Sequence, residues 1–263
     1  MTEIRSTLRS ETDHRGVVTI TLDRADVRNA FDDTMVADLT AELGRAGADA
    51  SVRAVVLTGA GEAFSAGADL GHMRRIAGAT REENVADATR LADLMYLLDT
   101  LAKPTLARVN GAAFGGAIGL LTCCDVAIAS DAARFALTEV RLGLAPAVIS
   151  PYVVRAIGVR QARRYFITGE VMDAAQAAAI GLVHEAVPAA DLDARIESML
   201  DALLAGGPVA TITCKHLARA LGSDFSEDLR RNTAELIAEL RGSAEGQEGL
   251  AAFLEKRAPS WKG

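Results

Sequence analysis

Aromatic residues make up only 4% of this 263-residue chain: seven Phe, three Tyr and one Trp. A core built from it must therefore be filled mainly by Ala, Leu and Val. Basic residues are also in the minority, 28 Lys and Arg against 35 Asp and Glu, for a formal charge of −7. That balance argues against a nucleic-acid binder, which needs a basic face. It does not exclude an anionic small ligand, because a few local cations can outweigh the overall sign. Cysteine is scarce: Cys123 and Cys124 are adjacent and Cys214 is remote, which gives neither a disulfide framework nor a metal-ligand spacing. The expectation is buried free thiols in a reducing compartment. The four histidines, His14, His72, His184 and His216, are scattered, so no metal is expected. No apolar run reaches the length of a membrane span, and the polar start MTEIRSTLRSETDHRG lacks a signal-type apolar segment. The reading is a soluble, cytoplasmic protein with no membrane partner.

Half of the residues are hydrophobic, enough for a sizeable core in one large domain or a domain with an appendage. Val17–Leu22 (VVTITL), Ala54–Leu57 (AVVL), Thr105–Val109 and Asp125–Ala129 (DVAIA) read as strands. Ala30–Leu43 has helical spacing, with Asp32, Asp33 and Thr34 as candidate caps. Glu82–Leu101 reads as a long helix with a broad leucine face, and Gly115–Cys124 as a helix between strands. Two C-terminal helices are expected to start near Asp191 and Phe225. Strands alternating with helices indicate an α/β protein with a largely parallel sheet. From Pro208 onward the pattern is helical only, and no low-complexity linker interrupts the chain. The expected division is a core over 1–205 and a helical region over 206–263.

Several chemistries lack their central residues. Gly59-Ala60-Gly61 follows a strand, but a G-x-G-x-x-G fingerprint needs glycine where Phe64 stands. There is neither a G-x-S-x-G elbow nor a G-K-[ST] phosphate loop. What is present lies between Asn110 and Pro151. Gly115-Gly116 opens an apolar helix, so backbone N–H groups at its start are approachable and carry the positive end of its dipole. Glu139 stands in the apolar string ARFALTEVRLGLAP. If buried, it would have a raised pKa suited to moving a proton near neutrality. The same residues also fit a helix packed on a sheet with Glu139 at a solvated edge.

A second segment, GAGEAFSAGADLGHM (Gly59–Met73), directly follows AVVLTG. Together with VVTITLDRADVRNAF near the start and EGLAAFLEKRAPSWK near the end, these segments resemble the crotonase (enoyl-CoA hydratase/isomerase) superfamily over nearly the whole chain. The resemblance implies a spiral of repeated strand–strand–helix units, followed by a helical region that packs a homotrimer or a dimer of trimers. It implies an acyl-CoA thioester as substrate, with the thioester as the electron sink and no further cofactor. The backbone N–H groups of Ala68 and Gly116 would hold the thioester oxygen, and Glu139 would be the acid/base. Ala66, Asp69 and Leu70 fall in the substrate-binding motif. Arg28 would lie near the CoA phosphates, and Phe253 and Lys256 are at positions that reach CoA. A side chain at Gly116 is expected to intrude on the thioester.

The pattern also departs from the family. The first of two catalytic carboxylates falls on Gly119, counted here with the substrate-binding positions; if the glycine leaves room, a substrate group or a held water would occupy it. Three readings stay open: Glu139 alone shuttling a proton between C2 and C4 as an isomerase, hydration with another water-positioning group, or neither. The string FALTEVRLGLAPAVISPYVVRAIG resembles the branch acting on 3-methylglutaconyl-type CoA esters and favours hydration. Ser150, Tyr152 and Arg155 are the candidates for meeting a distal carboxylate.

Overall fold

The computed structural model describes residues 7–221 and 243–261. The chain forms two compact units, Met1–Ile196 and Glu197–Gly263. The first holds two sheets. Six strands lie in the order β1 (Leu8–Thr12), β2 (Val17–Leu22), β3 (Ala54–Gly59), β5 (Thr105–Val109), β7 (Val126–Ser130), β10 (Glu185–Val187). Four short strands form the second: β4 (Ala63–Ser65), β6 (Ala112–Phe114), β8 (Arg134–Ala136), β9 (Met172–Asp173). Except at the β1 and β9 ends, neighbours run parallel. The chain thus steps from one sheet to the other three times, β3 to β4, β5 to β6 and β7 to β8, and each step is followed by helix: α2 (Leu70–Ala77) and α3 (Arg81–Thr100), then α4 (Gly116–Cys123), then α5 (Ser150–Thr168). This is the strand–strand–helix spiral.

Each sheet is apolar for a reason visible in its residues. β3 is buried along its whole length, as a central parallel strand covered on both faces should be. Phe64 and Phe135, one on β4 and one on β8, are fully buried and fill volume that small residues leave. Helix α1 (Asp33–Ala48) packs Met35, Val36, Leu39 and Leu43 inward. Its N-cap is Asp32, whose carboxylate accepts the Met35 N–H, a contact worth about 1 kcal/mol. Helix α3 starts with a reciprocal Thr80–Glu83 capping box. Buried Lys103 donates to the carbonyls of Asp49 and Val52, so its charge is spent on backbone oxygens at the end of α1.

The remaining helices are α6 (Ala174–Ala179), α7 (Leu192–Leu204), α8 (Pro208–Ala220) and α9 (Ala244–Glu255). In the second unit, Glu245 accepts the Val209 and Ala210 N–H groups at the start of α8, and Trp261 donates to the Ala205 carbonyl. The helix expected near Phe225 lies outside the described residues. Among the described residues no helix is long and apolar enough to cross a membrane. Cys123 and Cys124 are buried, whereas Cys214 is exposed on α8, against the expectation of burial.

Candidate active site

Two turns meet at the edge of the smaller sheet. The first follows β4. Its shape is set by segment 28–31: Ala66 N–H donates to the Arg28 carbonyl, Phe31 N–H to the Gly67 carbonyl, and Asp69 N–H to the Phe31 carbonyl, all within 3.0 Å. That segment is braced by Asn29, fully buried at φ 56. Its side-chain amide donates to the carbonyls of Ala60 and Ala63, and its oxygen accepts the Arg24 N–H. Gly67 takes φ +85, and a Cβ there would stand 2.5 Å from the Phe114 carbonyl oxygen and 3.5 Å from the Gly116 nitrogen. The Gly67-Ala68 turn therefore lies directly against the start of α4.

The second turn is Gly115 itself, at φ 54 and ψ −126, a conformation that side-chain-bearing L residues rarely adopt. Its N–H donates to the Ala136 carbonyl at 2.9 Å, tying the start of α4 to the end of β8. Beyond β8 the chain makes a 3-10 turn, Glu139–Leu142, closed by Gly143 in the left-handed region. Glu139 is thereby delivered to Gly115: a Cβ at that glycine would stand 3.2 Å from Glu139 Oε1. Neither the Ala68 nor the Gly116 N–H donates to an acceptor among the described residues. Two free N–H groups and one carboxylate thus border a single cavity of about 330 Å³.

The cavity wall is otherwise apolar: Phe31, Ala66, Leu70, Met73 and Leu91, with Leu142 and the run Leu144–Ile149. Of the lining residues, Thr138 and Glu139 alone carry a side-chain oxygen or nitrogen. Glu139 Oε2 is buried without a hydrogen-bond partner. Burial pushes the Glu139 carboxyl above its ordinary value, because the charged form loses water. A second chamber of about 200 Å³ shares Phe31, Ala68, Met73, Leu91 and Leu144 with the first. Its polar groups are paired: His72 Nε2 lies 3.0 Å from Asp87, which also pairs with Arg90 at 2.7 Å, while Asp32 pairs with Arg24 at 3.1 Å and Asp33 with Arg75 at 2.8 Å.

A profile of the enoyl-CoA hydratase/isomerase family matches residues 12–263. The chain belongs to that family. It resembles an enoyl-CoA hydratase of known structure from Shewanella pealeana, at 45% identity over 97% of this chain and 96% of the other, with a TM-score of 0.94. A Mycobacterium smegmatis enoyl-CoA hydratase structure matches at 35% identity over 98% and 100%, with a TM-score of 0.92. An Alternaria alternata enoyl-CoA hydratase, AKT6-1, is 34% identical over 92% of this chain and 80% of its own length. The chain is thus an enzyme of the hydratase/isomerase type on the crotonase fold.

Within this family member, several sequence expectations need correction. Gly119 does not open on the cavity: a Cβ there would overlap Ile149 Cγ2, with Met95 Cε 3.1 Å away. Ile149 fills the space that a first carboxylate would occupy, leaving no place there for substrate or water. Asp69 caps α2 instead of lining the cavity, accepting the Gly71 and His72 N–H groups and pairing with Arg24 at 3.2 Å. The hydrogen bond from the His72 N–H, reinforced by the Gly71 N–H and Arg24, holds its carboxyl below the ordinary range. A Cβ at Gly116 would meet Phe31, whose Cζ would lie 2.6 Å from it, so packing within the protein already demands a glycine there. Arg155 pairs with buried Asp99 and stacks on Tyr152, and Ser150 donates to the Ala147 carbonyl. All three are thus engaged elsewhere, and none is among the cavity-lining residues.

The other residues singled out in the sequence are placed as follows. Ala66, Ala68, Leu70, Gly116 and Glu139 line one cavity. Arg28 is exposed at φ 54, and its guanidinium has no partner among the described residues. Lys256 is exposed at the end of α9, at φ 56. The Phe253 side chain lies outside the described residues. Sequence reading missed Phe31, Asn29 and Thr138, whose roles depend on neighbours remote in the chain. One consequence can be measured directly. Gly115→Ala should lower stability by about 1–3 kcal/mol through backbone strain. Its methyl also crowds Glu139 Oε1, so kcat should fall about tenfold. An Ala variant with unchanged thermal midpoint and turnover would contradict this geometry.

Proposed function

We propose that the protein is an enoyl-CoA hydratase that adds water across the 2,3-double bond of a 2-enoyl-CoA thioester. The observation that carries this reading is the convergence, on one apolar cavity, of two unused N–H groups and a half-buried carboxylate whose Oε2 is sealed from water without a hydrogen-bond partner. In the proposed reaction the water oxygen bonds to C3 while Glu139 takes one of its protons. The C2=C3 electron pair moves toward the thioester, whose oxygen becomes an enolate held by the Ala68 and Gly116 N–H groups. Glu139 then returns the proton to C2, giving the 3-hydroxyacyl thioester with the second water hydrogen still on oxygen. No electron acceptor beyond the thioester enters the scheme. Arg28, exposed and one backbone hydrogen bond from Ala66, would meet the CoA phosphates at the cavity mouth.

The lining bears on the acyl group. No basic side chain among the described residues lines the cavity, so the distal carboxylate of a 3-methylglutaconyl-type ester would enter it unpaired, at a cost of several kcal/mol. We therefore favour uncharged hydrocarbon acyl groups, with the glutaconyl-type ester as the weaker substrate.

A second reading, Δ3,Δ2-enoyl-CoA isomerisation, draws on one observation: Ile149 blocks the first-carboxylate place, and a proton shuttle needs only Glu139. The two separate in H₂¹⁸O. A panel of straight-chain, branched and glutaconyl-type 2-enoyl esters should yield labelled 3-hydroxyacyl-CoA, fastest for the uncharged members. Absence of label from every ester, with conversion of a 3-enoyl-CoA to its 2-isomer, would replace the hydratase by the isomerase.

A further inference from the structure

Hydration by a single carboxylate leaves one question of chemistry. Glu139 can take the proton, but a water with one hydrogen-bond partner is free to rotate and drift from C3. The place where a second carboxylate would stand is filled by Ile149, so the second partner must come from another part of the wall.

Thr138 is the other lining residue with a side-chain oxygen or nitrogen, and it is adjacent to Glu139 in the chain. It sits at the N-cap position of the 3-10 turn Glu139–Leu142, yet its side chain makes no cap hydrogen bond. A threonine there ordinarily turns its hydroxyl onto the first free N–H groups of the turn. Here the backbone carbonyl of Thr138 accepts the Arg141 N–H, and the hydroxyl is left without a partner among the described residues. Thr138 is half-buried, so the hydroxyl is neither solvated like a surface group nor sealed in the core. A half-buried threonine whose hydroxyl has no protein partner, lining an apolar cavity beside a carboxylate whose Oε2 is buried and unpartnered, suits a held water, which needs two or more polar partners.

We propose that the Thr138 hydroxyl is the second anchor of the attacking water. It accepts the hydrogen that stays on oxygen, or donates to a lone pair, while Glu139 takes the hydrogen that leaves. The proposal rests on the hydratase reading and names the group that performs what the missing carboxylate does elsewhere. Thr138 transfers no proton in this scheme: the oxygen goes to C3 and the proton passes through Glu139 alone.

The test compares wild type, Thr138→Val, Thr138→Ala and Thr138→Ser on the best 2-enoyl-CoA ester in H₂¹⁸O, with thermal midpoints recorded for each. Valine keeps the shape and removes the hydroxyl. Its kcat should fall on the order of tenfold to a hundredfold, with KM within about twofold of wild type. Alanine should match valine, and serine should recover most of the loss. Label uptake by wild type with undiminished uptake by valine and alanine overturns the role of Thr138 and leaves the hydratase reading intact. So does a serine variant as impaired as valine, or a loss carried by KM and thermal midpoint together, since those mark packing. No label uptake by wild type on any ester removes the hydratase reading, and this role with it.

Discussion

Glu139→Gln is expected to lower kcat by about 10²–10⁴-fold, the range for a positioned acid/base, while leaving KM nearly unchanged. The amide keeps the shape of the carboxyl and cannot take a proton from water. A variant with more than about half of wild-type kcat would remove Glu139 from the reaction. The same substitution should raise thermal stability at neutral pH. Burial lifts the folded-state pKa of Glu139 above its unfolded value, so between the two values the folded chain holds the proton more tightly. Stability then falls as pH rises through that window, and stays lowered above it. Gln carries no such cost, so its thermal midpoint should exceed that of wild type at pH 8 and approach it at acid pH. The kcat/KM profile should show an acid limb set by the same group, displaced upward from an ordinary glutamate and missing in the Gln variant.

Gly116→Pro is expected to cost on the order of 10²–10³ in kcat, the effect of losing one oxyanion donor. The first helical position tolerates proline, because its N–H has no intrahelical acceptor. Here it has none among the described residues, so no protein hydrogen bond is lost. Proline also brings a Cβ, which meets Phe31. Gly116→Ala supplies the matched control, adding the Cβ and keeping the donor. Alanine should show the packing penalty in its thermal midpoint with a modest kcat loss, and proline the further fall. Equal kcat in folded Ala and Pro variants would mean that the thioester oxygen is held elsewhere.

Elements five residues or longer with strong patterning were legible in the sequence. The runs VVTITL, AVVL and DVAIA are strands β2, β3 and β7 to within a few residues, because β-branched residues in a buried parallel strand leave a continuous apolar run. Asp32 caps α1 as its position before an apolar helical face suggests. The second sheet was not legible from pattern: β4, β6, β8 and β9 are two or three residues long, too short for any periodicity to register. Helix α2 escaped for a similar reason, being eight residues without a buried face.

The candidate site divides along the same line. Sequence alone determined which residues are chemically able to act: one carboxylate in an apolar string, glycines at a helix start, and no rival nucleophile or phosphate loop. Motif order assigned the family. Only the tertiary structure decided what each residue faces. Asp69 reads as a motif member but is a helix cap, and Gly119 reads as a vacancy but is closed by Ile149, thirty positions away along the chain. Thr138 is one polar residue among many in the sequence, and it becomes notable because folding leaves its hydroxyl unpaired on the cavity wall beside Glu139. Residue type sets what chemistry is available. Burial, spacing and the competition for hydrogen-bond partners are properties of residues brought together from distant segments, so they exist only after the chain has folded.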